Sequence, residues 1–194
     1  MKRICLAIMM LAGICMTMLG QTKEFQKAVA RYKGHSVTAV AQKTVHKAAV
    51  AKDVVTKGTL TMKQPDEVSI MMEGGKDGLT MKGSKFIMTV NGKQHKTSSD
   101  KNAQFVTFQA VFEDILAGGV HDLQKYSDLT MTKQGNLVVL TITPQAESKK
   151  AQRRLLFTSI VITIDTKTSE LRSLRMNEKA GNYTDYTFTK FAIK

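Results

Sequence analysis

Four histidines, His35, His46, His95 and His121, stand in separate segments without an H-x-x-x-H or H-E-x-x-H spacing. Zinc chemistry needs such spacing to put two ligands on one face, so these are read as loop or solvated side chains. No G-x-S-x-G nucleophile elbow occurs, and Gly74-Gly75-Lys76-Asp77-Gly78 lacks the Gly-Lys-Ser/Thr ending of a phosphate-cradling loop. That glycine run is a hairpin connection. Glu113 and Asp114 adjoin, but helical neighbours at i, i+1 do not face each other, so that spacing alone makes no acid and base pair. Both cysteines, Cys5 and Cys15, lie in the first 20 of 194 residues. The sequence therefore points away from covalent catalysis and implies no cofactor or metal.

What remains able to act is apolar. Of the 12 methionines, Met62, Met71, Met72, Met81 and Met88 fall in one stretch. Met is unbranched and polarisable, and it adapts to irregular partners; in an ordinary core it simply fills gaps. Phe105, Phe108, Phe112, Ile115 and Leu116 recur at helical spacing on one arc. Each is worth roughly 1.5–3 kcal/mol when buried, so that face must be covered, over either a solid core or a cavity.

The elements that must position these side chains follow from periodicity. Lys2 and Arg3 precede an uncharged run from Ile4 to Leu19, which reads as a secretory signal peptide over residues 1–20. Cys15 sits one residue off the spacing of a lipid-attachment site, so it is expected to leave with the leader unacylated. The remainder, 21–194, reads as one domain. The whole chain carries 29 Lys and Arg against 16 Asp and Glu, and loss of Lys2 and Arg3 lowers its charge from +13 to +11. The positives are scattered over the strand and turn segments, which argues against a nucleic-acid partner and is compatible with contact to anionic membrane surfaces.

Residues 22–34 place Phe25, Ala28, Val29 and Tyr32 on one helical face, ending at Gly34. Alternation then predicts two long strands over 37–62, followed by strands near 68–72, 79–81, 86–90 and 95–97, with Asn91-Gly92 as a tight hairpin. A second helix is predicted over 99–117, closed by Gly118-Gly119. Further strands are expected at 129–132, 137–143, 155–165, 171–176 and 183–193, with a loop over 145–154. In the last strand the apolar parity changes between Phe188 and Phe191, which predicts a bulge near Thr189. The fold class is α+β, a strongly curved antiparallel sheet of about ten strands forming an open half-barrel, with helices over its concave face.

Several short segments, in order, resemble the LolA-type carriers of outer-membrane lipoproteins. Gly58-Thr59-Leu60-Thr61-Met62-Lys63-Gln64-Pro65 resembles the family's G-x-L-x-x-(K/R)-R-P segment, and Val90-Asn91-Gly92-Lys93 falls at its hairpin. Phe112-Glu113-Asp114-Ile115-Leu116-Ala117-Gly118 resembles the lid helix. Leu140-Thr141-Ile142-Thr143-Pro144 and Gly181-Asn182-Tyr183-Thr184 with Tyr186 and Phe188 resemble the closing strands. The resemblance implies a periplasmic, monomeric carrier that binds lipoprotein acyl chains and delivers them towards the outer membrane. Its implied partners are an inner-membrane release transporter and an outer-membrane acceptor. A periplasmic binding or sensing module for another lipid or hydrophobic ligand is the second reading of the same fold.

The cavity and lid residues expected on this reading are Leu60, Met62, Val68, Ile70, Met72, Met81, Phe86, Met88, Phe105, Phe108, Phe112, Ile115 and Leu116. Gln64 stands where the carriers have the arginine that holds the lid, so the expected lid contact is a neutral amide. Ile70 replaces an aromatic, there is no Trp, and the chain ends at Lys194 without the extra C-terminal segment of the best-known carriers.

Overall fold

The computed structural model describes residues 22–146 and 148–194. The expected leader, with Cys5 and Cys15, lies outside the described residues. A helix over 22–29 (α1) runs into a 3-10 turn, Ala30–Tyr32. Six strands follow: β1 (Val37–His46), β2 (Val54–Lys63), β3 (Glu67–Met72), β4 (Gly78–Lys82), β5 (Lys85–Val90) and β6 (Lys93–Ser98). A 3-10 turn at Ala103–Phe105 leads into helix α2 (Val106–Ala117). The chain then forms β7 (Leu129–Gln134), β8 (Leu137–Ile142), a single turn of helix α3 (Lys149–Gln152), β9 (Ser159–Asp165), β10 (Glu170–Asn177) and β11 (Tyr183–Ile193).

All eleven strands join one antiparallel sheet in the order β6-β5-β4-β3-β2-β1-β11-β10-β9-β8-β7. The sheet does not close, since β6 and β7 are both edges. The first and last strands meet at its centre, and two meanders run outwards from them. Because β6 and β7 are at opposite edges, the only link between them, α2 with its flanking turns, must cross the sheet. That crossing supplies the cover the apolar helix face requires.

Alternation buries one face of each strand: Val37, Ala39 and Ala41 on β1, Leu60 and Met62 on β2, Ile160, Ile162 and Ile164 on β9. The helices complete this core with Phe25, Val29 and Tyr32 from the first and Phe108, Phe112 and Ile115 from the second. The Asn91-Gly92 hairpin is a two-residue turn with φ of 51° and 79°, the left-handed pair that such a turn requires. The bulge also forms: Thr38 pairs with Ala192 and Val40 with Thr189, so Lys190 and Phe191 oppose Ala39 alone. Lys190 takes φ of 55° there.

Several boundaries differ from the sequence expectation, the first helix giving way to a 3-10 turn at Ala30–Tyr32 among them. The second helix starts at Val106 and not near Ser99, because Ser99 Oγ bonds Gln109 Oε1 at 2.5 Å and the chain turns at residues 98–102. The loop over 145–154 contains α3, capped by Ser148 Oγ accepting from Ala151 N–H at 3.2 Å. Strand β9 begins at Ser159, so Leu156, at 53% exposure, stands outside the sheet.

Candidate ligand-binding site

The structure brings the sequence-predicted cavity residues together. Leu60, Met62, Val68, Ile70, Met72, Met81 and Phe86 line the inner face of β2 to β5, and Phe105, Phe108, Phe112, Ile115 and Leu116 face them from the crossing helix and its leading turn. All twelve are buried, and Met88 is half-buried at the margin. Aromatic contacts hold the two layers: Phe86 stacks on Phe105 with centroids 4.7 Å apart, and Phe108 lies 5.8 Å from Phe86 and 4.8 Å from Phe112.

Gln64, at the end of β2, ties both helices to the sheet. Its Nε2 donates to Leu116 O in the last turn of α2 at 2.8 Å and to Tyr32 O beyond α1 at 3.0 Å, with His35 O at 3.3 Å. An amide has two N–H donors, so these carbonyls share them. Gly118 and Gly119 let the helices meet there. A Cβ on Gly119 would lie 2.9 Å from Gln26 Cα, and both glycines take φ near 80°.

A cavity of about 370 Å³, lined by no residue of α1 or α2, opens between the two wings of the sheet. Leu79 and Met88 line it from one wing, Met176 and Tyr186 from the other, with Val45 and Val54 between and Phe157 beside them. Lys43 enters from β1 and Asp77 from the β3–β4 turn, their charges 3.5 Å apart. Lys47 and Glu178 pair at the rim at 2.7 Å. Burial, then the Asp77 charge, pushes the Tyr186 phenol up to about 12, so it stays neutral. Of the expected cavity residues, Met88 lines this space. Lys43, Asp77, Phe157, Met176 and Tyr186 were missed, although a lysine on the inward parity between Ala41 and Val45 was a readable signal.

The histidines are dispersed. His46 Nδ1 meets Asp53 at 2.7 Å and its ring stacks on Tyr183, His35 contacts Lys194 O, and His121 sits by Asp114. Among the described residues no group of three or more His, Cys, Asp or Glu is placed to hold a metal ion. None of the described helices is long and apolar enough to cross a membrane.

A known family matches most of the chain. The model of the outer membrane lipoprotein carrier protein LolA fits residues 35–194. The chain belongs to the LolA family. That family is described as outer membrane lipoprotein carrier proteins. No curated protein matches the chain. Among solved structures it is similar to a LolA superfamily protein of Nitrosomonas europaea, at 8% identity and a TM-score of 0.39 over 90% of this chain and 94% of that one. A conserved protein of Thermus thermophilus aligns at 8% identity and 0.44, covering 89% of this chain and 86% of that one. An outer membrane lipoprotein-sorting protein domain of Vibrio parahaemolyticus aligns at 8% and 0.43, covering 90% and 92%.

Proposed function

We propose that this LolA-family protein is a periplasmic carrier that takes lipoprotein acyl chains between its helices and the inner face of the sheet and delivers them towards the outer membrane. One arrangement carries the reading. Helix α2 lays Phe108, Phe112, Ile115 and Leu116 across the sheet, yet it belongs to no strand ladder and is tied at its end by the Gln64 amide. Separating it from Phe86 exposes apolar surface on both sides without breaking the sheet, which is what an acyl chain needs and what reversible delivery requires. In this reading residues 21–194 form the mature, monomeric domain, 1–20 are a cleaved leader, and an inner-membrane release transporter and an outer-membrane acceptor are the partners. The charged cavity favours a second reading, a binding or sensing module for another lipid or hydrophobic ligand.

Mass spectrometry of material co-purified from the native periplasm tests the role. Triacylated protein supports lipoprotein transport, and free lipid alone supports the second reading. Phe108→Ala tests the lid directly. The helix can settle back onto the sheet, so stability is expected to fall by less than about 3 kcal/mol while binding of a fluorescent acyl probe weakens strongly. A loss of about 3–5 kcal/mol, with no saturable probe binding in the unaltered protein, would mark the face as solid core and refute the carrier.

A further inference from the structure

On the inner face, beside the cavity, one row across three strands carries a cation and two hydroxyl groups. Lys43 on β1 pairs in register with Thr56 on β2 and with Tyr186 on β11, so the three share a face. The Lys43 side chain is 11% exposed and lies in a wall that includes Leu79, Met88 and Met176. Holding an ammonium there is costly unless it is well paired. Its partner Asp77 stands 3.5 Å away, longer than the roughly 2.7–2.9 Å of a charge-assisted hydrogen bond. Asp77 is also held independently, since its Oδ1 accepts the Asn91 N–H at 2.9 Å. A loosely paired cation therefore faces an apolar space, and Asp77 keeps a partner if Lys43 turns away from it.

We propose that this cavity binds the anionic head of a single-chain acyl amphiphile, a carboxylate or a phosphate monoester, with Lys43 as its cationic contact. The chain then lies along Leu79, Met88 and Met176 towards the aromatic cluster under α2. The cavity, about 370 Å³, falls within the roughly 300–1,000 Å³ of small-molecule sites. This assignment rests on the reading of the inner face as an acyl-chain site and adds a free anionic amphiphile to its ligands, since the ester- and amide-linked chains of a lipoprotein carry no such head.

The test measures binding of decanoate, decyl phosphate and decanol to the purified protein by calorimetry. At least one of the two anions is expected to bind about tenfold or more tightly than the alcohol, the worth of one charge-assisted hydrogen bond, and the preferred anion identifies the head group. Asp77→Asn, which frees the ammonium, is expected to widen that ratio, and Lys43→Met to collapse it. Because Lys43→Met leaves Asp77 without its cation, the double variant Lys43→Met/Asp77→Asn, verified as folded by circular dichroism, repeats the measurement. Equal binding of anions and alcohol by the unaltered protein, or an undiminished preference in the double variant, would overturn the head-group assignment and leave the carrier standing. Binding of none of the three would overturn both.

Discussion

Gln64 bonds both helical segments to the sheet from one position, a connection that the proposed opening of α2 would have to break. Replacing it with Ala removes the donors to Leu116 O and Tyr32 O, at about 0.5–1.5 kcal/mol per bond. Amides of α2 should then exchange faster with deuterium, while Gln64→Arg, with five donors in a fixed fork, should slow them. The same protection in all three proteins would show that Gln64 does not restrain the helix. Asp114, on the same helix, is fully buried; its Oδ1 accepts the His121 N–H at 2.6 Å and its Oδ2 has no partner. Burial pushes its carboxyl above the ordinary range despite the lowering effect of the His121 contacts. The native state therefore binds this proton more tightly than the unfolded chain, and stability falls as pH rises through the shifted range. Asp114→Asn keeps the acceptor without the charge. It should be more stable than the unaltered protein near neutrality, with the gain vanishing on acidification below the ordinary carboxylate range. Urea midpoints at both pH values check this, and a less stable variant at neutral pH contradicts it.

Among the elements, β2 depends on a missing side chain. Gly58 pairs with Met72, and a Cβ there would lie 2.3 Å from the Met71 carbonyl oxygen and 2.6 Å from Met72 Cε. A backbone oxygen cannot give way as a side chain can, so Gly58→Ala should part β2 from β3 and cost about 1–3 kcal/mol. An unchanged urea midpoint would show that the strands adjust freely. The Asn91-Gly92 hairpin and the bulge on β11 depend instead on backbone conformation, because Asn91, Gly92 and Lys190 adopt positive φ where the chain must turn or slip register.

For the whole molecule, an open sheet leaves two edges that could pair with another copy. Strand β6 is exposed along Lys93, Gln94, His95 and Lys96, and β7 ends in Lys133 and Gln134. Edge lysines oppose strand addition, because pairing would bring like charges together and desolvate them. Lys93→Val with Lys96→Val should produce concentration-dependent association on size-exclusion chromatography. Unchanged elution over a wide concentration range would assign the edge protection to another feature. The leader makes its own prediction: fatty acid supplied as a radiolabel should not appear at Cys15, and incorporation there would make the protein membrane-anchored.

Local periodicity carried much of this molecule. Alternation specified the inner face of each strand, the i, i+3, i+4 spacing specified the buried arc of α2, Asn91-Gly92 specified a hairpin, and the parity change after Phe188 specified the bulge at Lys190 and Phe191. Each depends on residues a few positions apart, where backbone geometry alone decides which way a side chain points. The helix boundary at Val106 was less legible, because the Ser99 to Gln109 bond competes with helical pairing beyond any simple period. The site was legible only in part. Leu60 to Leu116 could be recognised as one apolar set, but the convergence of Lys43, Asp77, Met176 and Tyr186 on one cavity could not be read, because no local period relates residues so far apart in the chain. Only tertiary structure decided it, by setting β1 beside β11 and sending α2 from edge to edge. Strand order is a property of the chain's whole path, and that path is selected by burying all the inner faces at once.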